Sequence, residues 1–122
     1  MSKATALKAK LVAEWMTEVR VDTFIAYVEW IEKHTSRKMT KAQCTALTTG
    51  VRHAFLMRST FESLMEMYYA GVKPSEAAKK MFTETSRAVR KTRGLAALYK
   101  RASMMSAASY ASSPESEAYW AS

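Results

Sequence analysis

The chain has 122 residues, 48% of them hydrophobic, and carries 19 Lys/Arg against 11 Asp/Glu for a net charge of +8. With three Gly, two Pro, one Asp and no Asn, an all-β fold has little turn material to build with. The helix formers Ala, Met, Leu, Lys, Arg and Glu dominate instead, and they predict an all-α protein, a compact bundle of four to five helices.

In chain order, Leu7, Leu11, Val12, Trp15 and Val19 share one helical face and predict a first helix over 5–19. That face then loses phase. Val21, Phe24, Ile25, Val28 and Ile31 form a new set, which places a break at 20–22 with Asp22 as N-cap of a second helix to about His34. A bent continuous helix is the alternative. The polar run 34–38 is a connection, and Thr40-Lys-Ala-Gln43 has the form of a capping box opening the next helix.

From Cys44 through Leu47, Val51, Phe55, Phe61, Leu64, Met65 and Tyr68 the apolar spacing continues, with Gly50 as a point of division and Gly71 as a left-handed C-cap. Val72-Lys73-Pro74-Ser75 is the clearest turn, and Pro suits the opening of a helix. The expected core is Trp15, Phe24, Val28, Leu47, Phe55, Leu64 and Phe82.

From Ala77 to Ala102 the apolar residues keep one helical period, interrupted only by Gly94, which predicts a single long basic amphipathic helix. Residues 103–122 are rich in Ser and Ala and hold no Lys/Arg. They read as a flexible or partner-ordered tail on a helical domain over 1–102. Tyr110, Tyr119 and Trp120 mark that tail as a protein-interaction segment.

The charge is concentrated. Residues 1–72 hold ten Lys/Arg against seven acids, 73–101 hold nine against two, and 102–122 hold none against two. On a helix with Phe82 at zero, the apolar set covers an arc of roughly 200–340°. Lys79, Lys80, Arg87, Arg90, Lys91, Arg93, Lys100 and Arg101 fall between roughly 0° and 180°, with Leu98 alone on the wrong side. Eight like charges on one face repel one another. A solvated face usually mixes signs, so this one is expected to meet a polyanion or an acidic protein surface.

A helix-turn-helix is the alternative within this segment, with 74–81 as first helix and 85–93 as recognition helix presenting Arg87, Arg90 and Lys91. The turn at Phe82-Thr-Glu84 lacks the usual glycine, and the unbroken period favours one helix.

Catalytic and metal constellations are not legible. The lone Cys44 rules out an intramolecular disulfide and a cysteine-built zinc cage, and no base stands near it in sequence. His34 and His53 have no accompanying carboxylate pattern. There is no Gly-rich phosphate loop, HExxH or GxSxG. No cofactor, no metal and no enzymatic activity are expected.

No apolar run is long enough for a signal peptide or a membrane span. A reducing, cytoplasmic setting is therefore expected rather than secretion. The composition leads first to a binder of nucleic acid through phosphate contacts. With no Asn and only Gln43 to read adenine, its sequence specificity is expected to be low. The alternative is an interaction or assembly protein: an inhibitor of an acidic protein surface, a homo-oligomer, or a subunit of a larger particle such as a virion component.

Overall fold

Between Lys3 and Thr35 no Gly or Pro interrupts the chain, and those 33 residues form one helix, α1. The computed structural model describes residues 3–111. After α1 come α2 (Lys41–Phe55), α3 (Arg58–Tyr69), α4 (Pro74–Arg90) and α5 (Ala96–Ala111), with no strand among the described residues. Over the described residues the protein is an all-α bundle of five helices.

The break expected at 20–22 is absent, and the packing explains why it was read there. The buried residues of α1 are Val19, Thr23, Tyr27, Ile31 and Thr35, one every fourth position. Each step of four advances about 40° round the axis, so the stripe winds by roughly 160° along the helix. α1 changes partners as it winds. Trp15 and Val19 pack with Leu64, Met67, Ala77, Ala78 and Met81 of α3 and α4. Tyr27 and Ile31 pack with Leu47 and Val51 of α2, Val89 of α4, and Leu95 and Tyr99. The buried hydroxyls of Thr23 and Thr35 donate to the carbonyls of Val19 and Ile31, each at 2.7 Å, so neither is buried unsatisfied.

The capping box at α2 forms as expected: Gln43 N–H donates to Thr40 Oγ1 at 3.2 Å, and Thr40 N–H donates to Gln43 Oε1 at 2.9 Å. The division after α2 falls at Leu56 and Met57, not at Gly50. Gly50 is a buried helix-interior residue. A Cβ there would stand 2.7 Å from Thr92 Oγ1, so glycine is what lets the chain after α4 approach α2 closely.

α3 ends as the sequence predicts. Gly71 takes φ +76°, Val72 N–H donates to Met67 O, and Gly71 N–H donates to Tyr68 O, which together make a Schellman closure. Pro74 then starts α4 after Lys73. Trp15 fastens α1 over this turn, its Nε1–H donating to Val72 O at 3.0 Å and its ring meeting Tyr68 edge-on.

Two expectations for the basic segment are corrected. The long helix over 77–102 is two helices, because Gly94 adopts φ +92°, a backbone state that stops an α-helix. The helix-turn-helix is also absent: residues 82–84 lie inside α4, and the break comes at 91–95. The restart resolves the one misfit of the single-helix reading. Leu98, out of phase with a helix running on from α4, is half-buried once α5 begins at Ala96. α5 runs on through Ala111, across the composition change at 102/103.

Of the expected core, Leu47 and Leu64 are buried, while Trp15, Phe24, Val28, Phe55 and Phe82 are half-buried around the margin. Phe55 touches both apolar clusters. The centre belongs to Tyr27, which is fully buried. Its hydroxyl donates to Phe82 O at 2.8 Å and lies 2.9 Å from Thr85 Oγ1. Leu7 and Leu11, expected to face inward, are 59% and 48% exposed. That end of α1 extends past α4.

Candidate functional site

The eight cations predicted as a binding face are all solvent-exposed. Lys79, Lys80, Arg87 and Arg90 lie on the outward side of α4, opposite its buried Ala77, Ala78, Met81, Thr85 and Val89. Lys91 and Arg93 lie in the break, and Lys100 and Arg101 lie on α5 beside the buried Tyr99 and Ala102. They come from two helices and a turn rather than from one face of one helix.

Charge pairing is sparse. Among the described residues, only two Lys/Arg come within 4 Å of a carboxylate, Arg58 with Glu62 at 3.0 Å and Lys80 with Glu84 at 3.9 Å. Both pairs are exposed, and pairs of that kind contribute little. Seven of the eight predicted cations therefore have no acid partner among the described residues.

The helix break also brings in cations the sequence reading missed. Arg101 of α5 lines one pocket with Arg37 and Lys38 of the α1–α2 connection, above an apolar floor that includes Ile31, Met39 and Leu98. On α4, Lys79 lines a shallow depression with Lys33 and Glu29 of α1, beside Trp30 and Phe82. The sequence signal for Arg37 and Lys38 was only a pair of adjacent cations in a polar connection, and nothing local placed them beside Arg101.

Under this surface lies an aromatic stack. Arg90 sits 5.9 Å above the Tyr99 ring, Tyr99 stacks with Trp30 at 5.3 Å, and Trp30 stacks with His34 at 4.4 Å. His34 Nδ1 lies 2.7 Å from Trp30 O, so that nitrogen carries the proton, and the ring is held as a packing group. Burial pushes the Tyr27 hydroxyl up to about 12, against smaller lowering effects from Thr85 and Arg90. Burial first, and then neighbouring Tyr27, raise Tyr99 as well. The Tyr99 hydroxyl is buried without a hydrogen-bond partner among the described residues. These aromatics form the packed layer on which Arg90 rests.

Cys44 is half-buried and His53 is exposed. Among the described residues, no group of three His, Cys, Asp or Glu gathers where a metal could be held. Nor is any described helix long and apolar enough to cross a membrane. Of the aromatic residues assigned to a protein-interaction tail, Tyr110 falls within α5, while Tyr119 and Trp120 lie outside the described residues.

No protein-family model, no curated protein and no solved structure matches this chain. The functional reading rests on the chemistry of its own surface.

Proposed function

We propose that this protein is a non-enzymatic binder of nucleic acid, holding the phosphate backbone with little sequence specificity. The observation that carries the reading is the exposed set Arg87, Arg90, Lys91, Arg93, Lys100 and Arg101, none within 4 Å of a described carboxylate, joined by Arg37 and Lys38 beside Arg101. Cations left without internal partners are free to replace the counterions condensed on a polyanion, and that release is the main drive of phosphate-backbone binding. The cations stand on helices and on a turn that packs closely against Gly50 through Thr92, so little backbone must be ordered on binding.

The test is fluorescence anisotropy with random duplex and single-stranded DNA over a salt series. The logarithm of the affinity should fall linearly with the logarithm of salt. Replacing Arg87, Arg90 and Lys91 together with Gln should flatten that slope by about 0.9 for each duplex phosphate no longer neutralised. Circular dichroism should not change, because all three side chains are exposed. Replacing Arg37 and Lys38 with Gln should flatten it further. Unchanged binding by both variants would leave the cations as ordinary solvated groups.

A second reading, an interaction or assembly protein, is favoured by one observation that phosphate binding does not use. Phe61 and Tyr69, at the far end of the molecule, are 50% and 64% exposed. No nucleic-acid binding near physiological salt would turn the cationic surface toward an acidic protein partner instead.

A further inference from the structure

We infer that this protein self-associates, the N-terminal turns of α1 from one copy lying along α3 of another. This inference goes beyond the nucleic-acid reading and uses none of the cations between 79 and 101.

Length gives the first argument. α1 has 33 residues and α4 has 17, so the two are about 50 Å and about 26 Å long. The first fully buried residue of α1 is Val19. Before Trp15, which packs on α3, α4 and the turn between them, about 18 Å of helix over 3–14 has a neighbour only in α3 among the described residues. A helical segment of that length gains little stability alone in water. It nonetheless presents Leu7 and Leu11 outward, 59% and 48% exposed.

The second argument is a groove. Val12 and Met16 of α1 and Phe61, Met65 and Tyr69 of α3 line one apolar trough. Phe61 and Tyr69 keep half or more of their surface in solvent. Singly scattered exposed apolar side chains need no explanation, but a contiguous trough of this kind marks a contact surface. Lys8 closes its end, its ammonium 5.4 Å above the Tyr69 ring.

Charge selects the occupant. The outer edge of the trough carries Glu62 and Glu66. Among the described residues, Glu66 has no cation within 4 Å, and Glu62 has only Arg58 from its own helix. The segment 3–11 carries Lys3, Lys8 and Lys10 and no acid. Helical geometry puts Lys3, Leu7, Lys10 and Leu11 within an arc of about 100°. Two lysines around two leucines are the complement of an apolar trough edged by two glutamates. α3 is about 18 Å long, enough for the nine residues of that segment, about 14 Å of helix.

Groove and plug stand at the same end of one chain, so two copies can exchange them about a two-fold axis and close the assembly. A dimer so formed would carry two cationic surfaces on one body, raising avidity for any long polyanion.

Light scattering and sedimentation equilibrium on the full chain test this directly. The expected mass rises with concentration from 13.7 kDa to twice that value. Leu7→Asp with Leu11→Asp should hold the chain monomeric. To distinguish a weakened interface from a damaged helix, two charge reversals are compared, Glu62→Lys/Glu66→Lys and Lys3→Glu/Lys10→Glu. Each alone should weaken association roughly tenfold or more, because each sets like charges against one another across the interface. An equimolar mixture of the two should recover the wild-type dimer mass, because every lysine again meets a glutamate. A wild-type chain monomeric to about 1 mM overturns the proposal. So does a mixture that fails to associate when each variant keeps its helical circular dichroism. Neither result bears on phosphate binding, which is read separately by the salt slope.

Discussion

The two ends of this molecule treat solvent in opposite ways. Toward one end the last turns of α4, the start of α5 and the connection over 36–40 present mostly cations, with Glu32 held there by Met39 N–H. At the other, the first turns of α1 and the outer side of α3 leave Leu7, Leu11, Phe61 and Tyr69 in water. A cation on a helix is content in solvent, so a sequence pattern that places it there is already a statement about surface. An apolar residue at helical spacing reads as core wherever it stands. Only the reach of neighbouring helices decides whether it is covered, and α4, which begins beside Trp15 and Val19, does not reach the start of α1.

The strongest way to break this comparison is to delete the same atoms at both ends. Leu47→Ala empties a fully buried site and should cost about 2–5 kcal/mol, seen as a large fall in melting temperature. Leu7→Ala, in dilute protein, should change stability by no more than about 0.5 kcal/mol. A comparable loss at Leu7 would mean that the α1 end is already packed.

A smaller effect sharpens the other side. Gly94→Ala has room for its methyl, which would meet only Ala46 Cβ at 3.4 Å. Its φ of +92° is nonetheless a state that L-residues resist, and the strain should cost about 1–2 kcal/mol. Because the break at Gly94 is what turns Arg101 toward Arg37 and Lys38, nucleic-acid affinity should fall even though no charge is removed. Unchanged affinity would mean that the cations act without the turn.

The gentlest probe is pH. Tyr27 titrates near 12 in the folded chain, against about 10 for an unfolded tyrosine, and burial raises Tyr99 too. Between those values the unfolded state has released protons that the folded state keeps, so stability falls as pH rises. Denaturant midpoints should therefore decline from about pH 10 upward. Tyr27→Phe should flatten part of that decline, after its own cost for leaving Thr85 and the Phe82 carbonyl without their partner. A flat profile to pH 12 would place both rings in solvent.

Several local signals in the sequence held because each is settled within a few residues. Thr40 with Gln43, Gly71 with its left-handed φ, and Pro74 at a helix start all depend on neighbouring backbone groups alone. The exposure of Lys79, Lys80, Arg87 and Arg90 was legible for a similar reason, since the polar side of α4 is fixed by its own period. What was not legible depended on partners. The phase change near Asp22 looked like a break because a sequence cannot show that α1, while staying on α4, passes from α3 to α2 and α5. Gly50 looked like a boundary because Thr92, its reason for being glycine, is 42 residues away.

By itself, then, the sequence determined the helical class, the caps and turns at Thr40, Gly71 and Pro74, and the sign and place of the charge, all properties of short-range backbone and side-chain chemistry. The tertiary structure alone decided that Tyr27 would be the centre of the core, that Gly94 would divide the basic segment, and that Arg37 and Lys38 would meet Arg101. It also left the start of α1 with one neighbour instead of two. Those outcomes follow from how helices of unequal length cover one another, and helix length against helix length is a comparison that no local pattern contains.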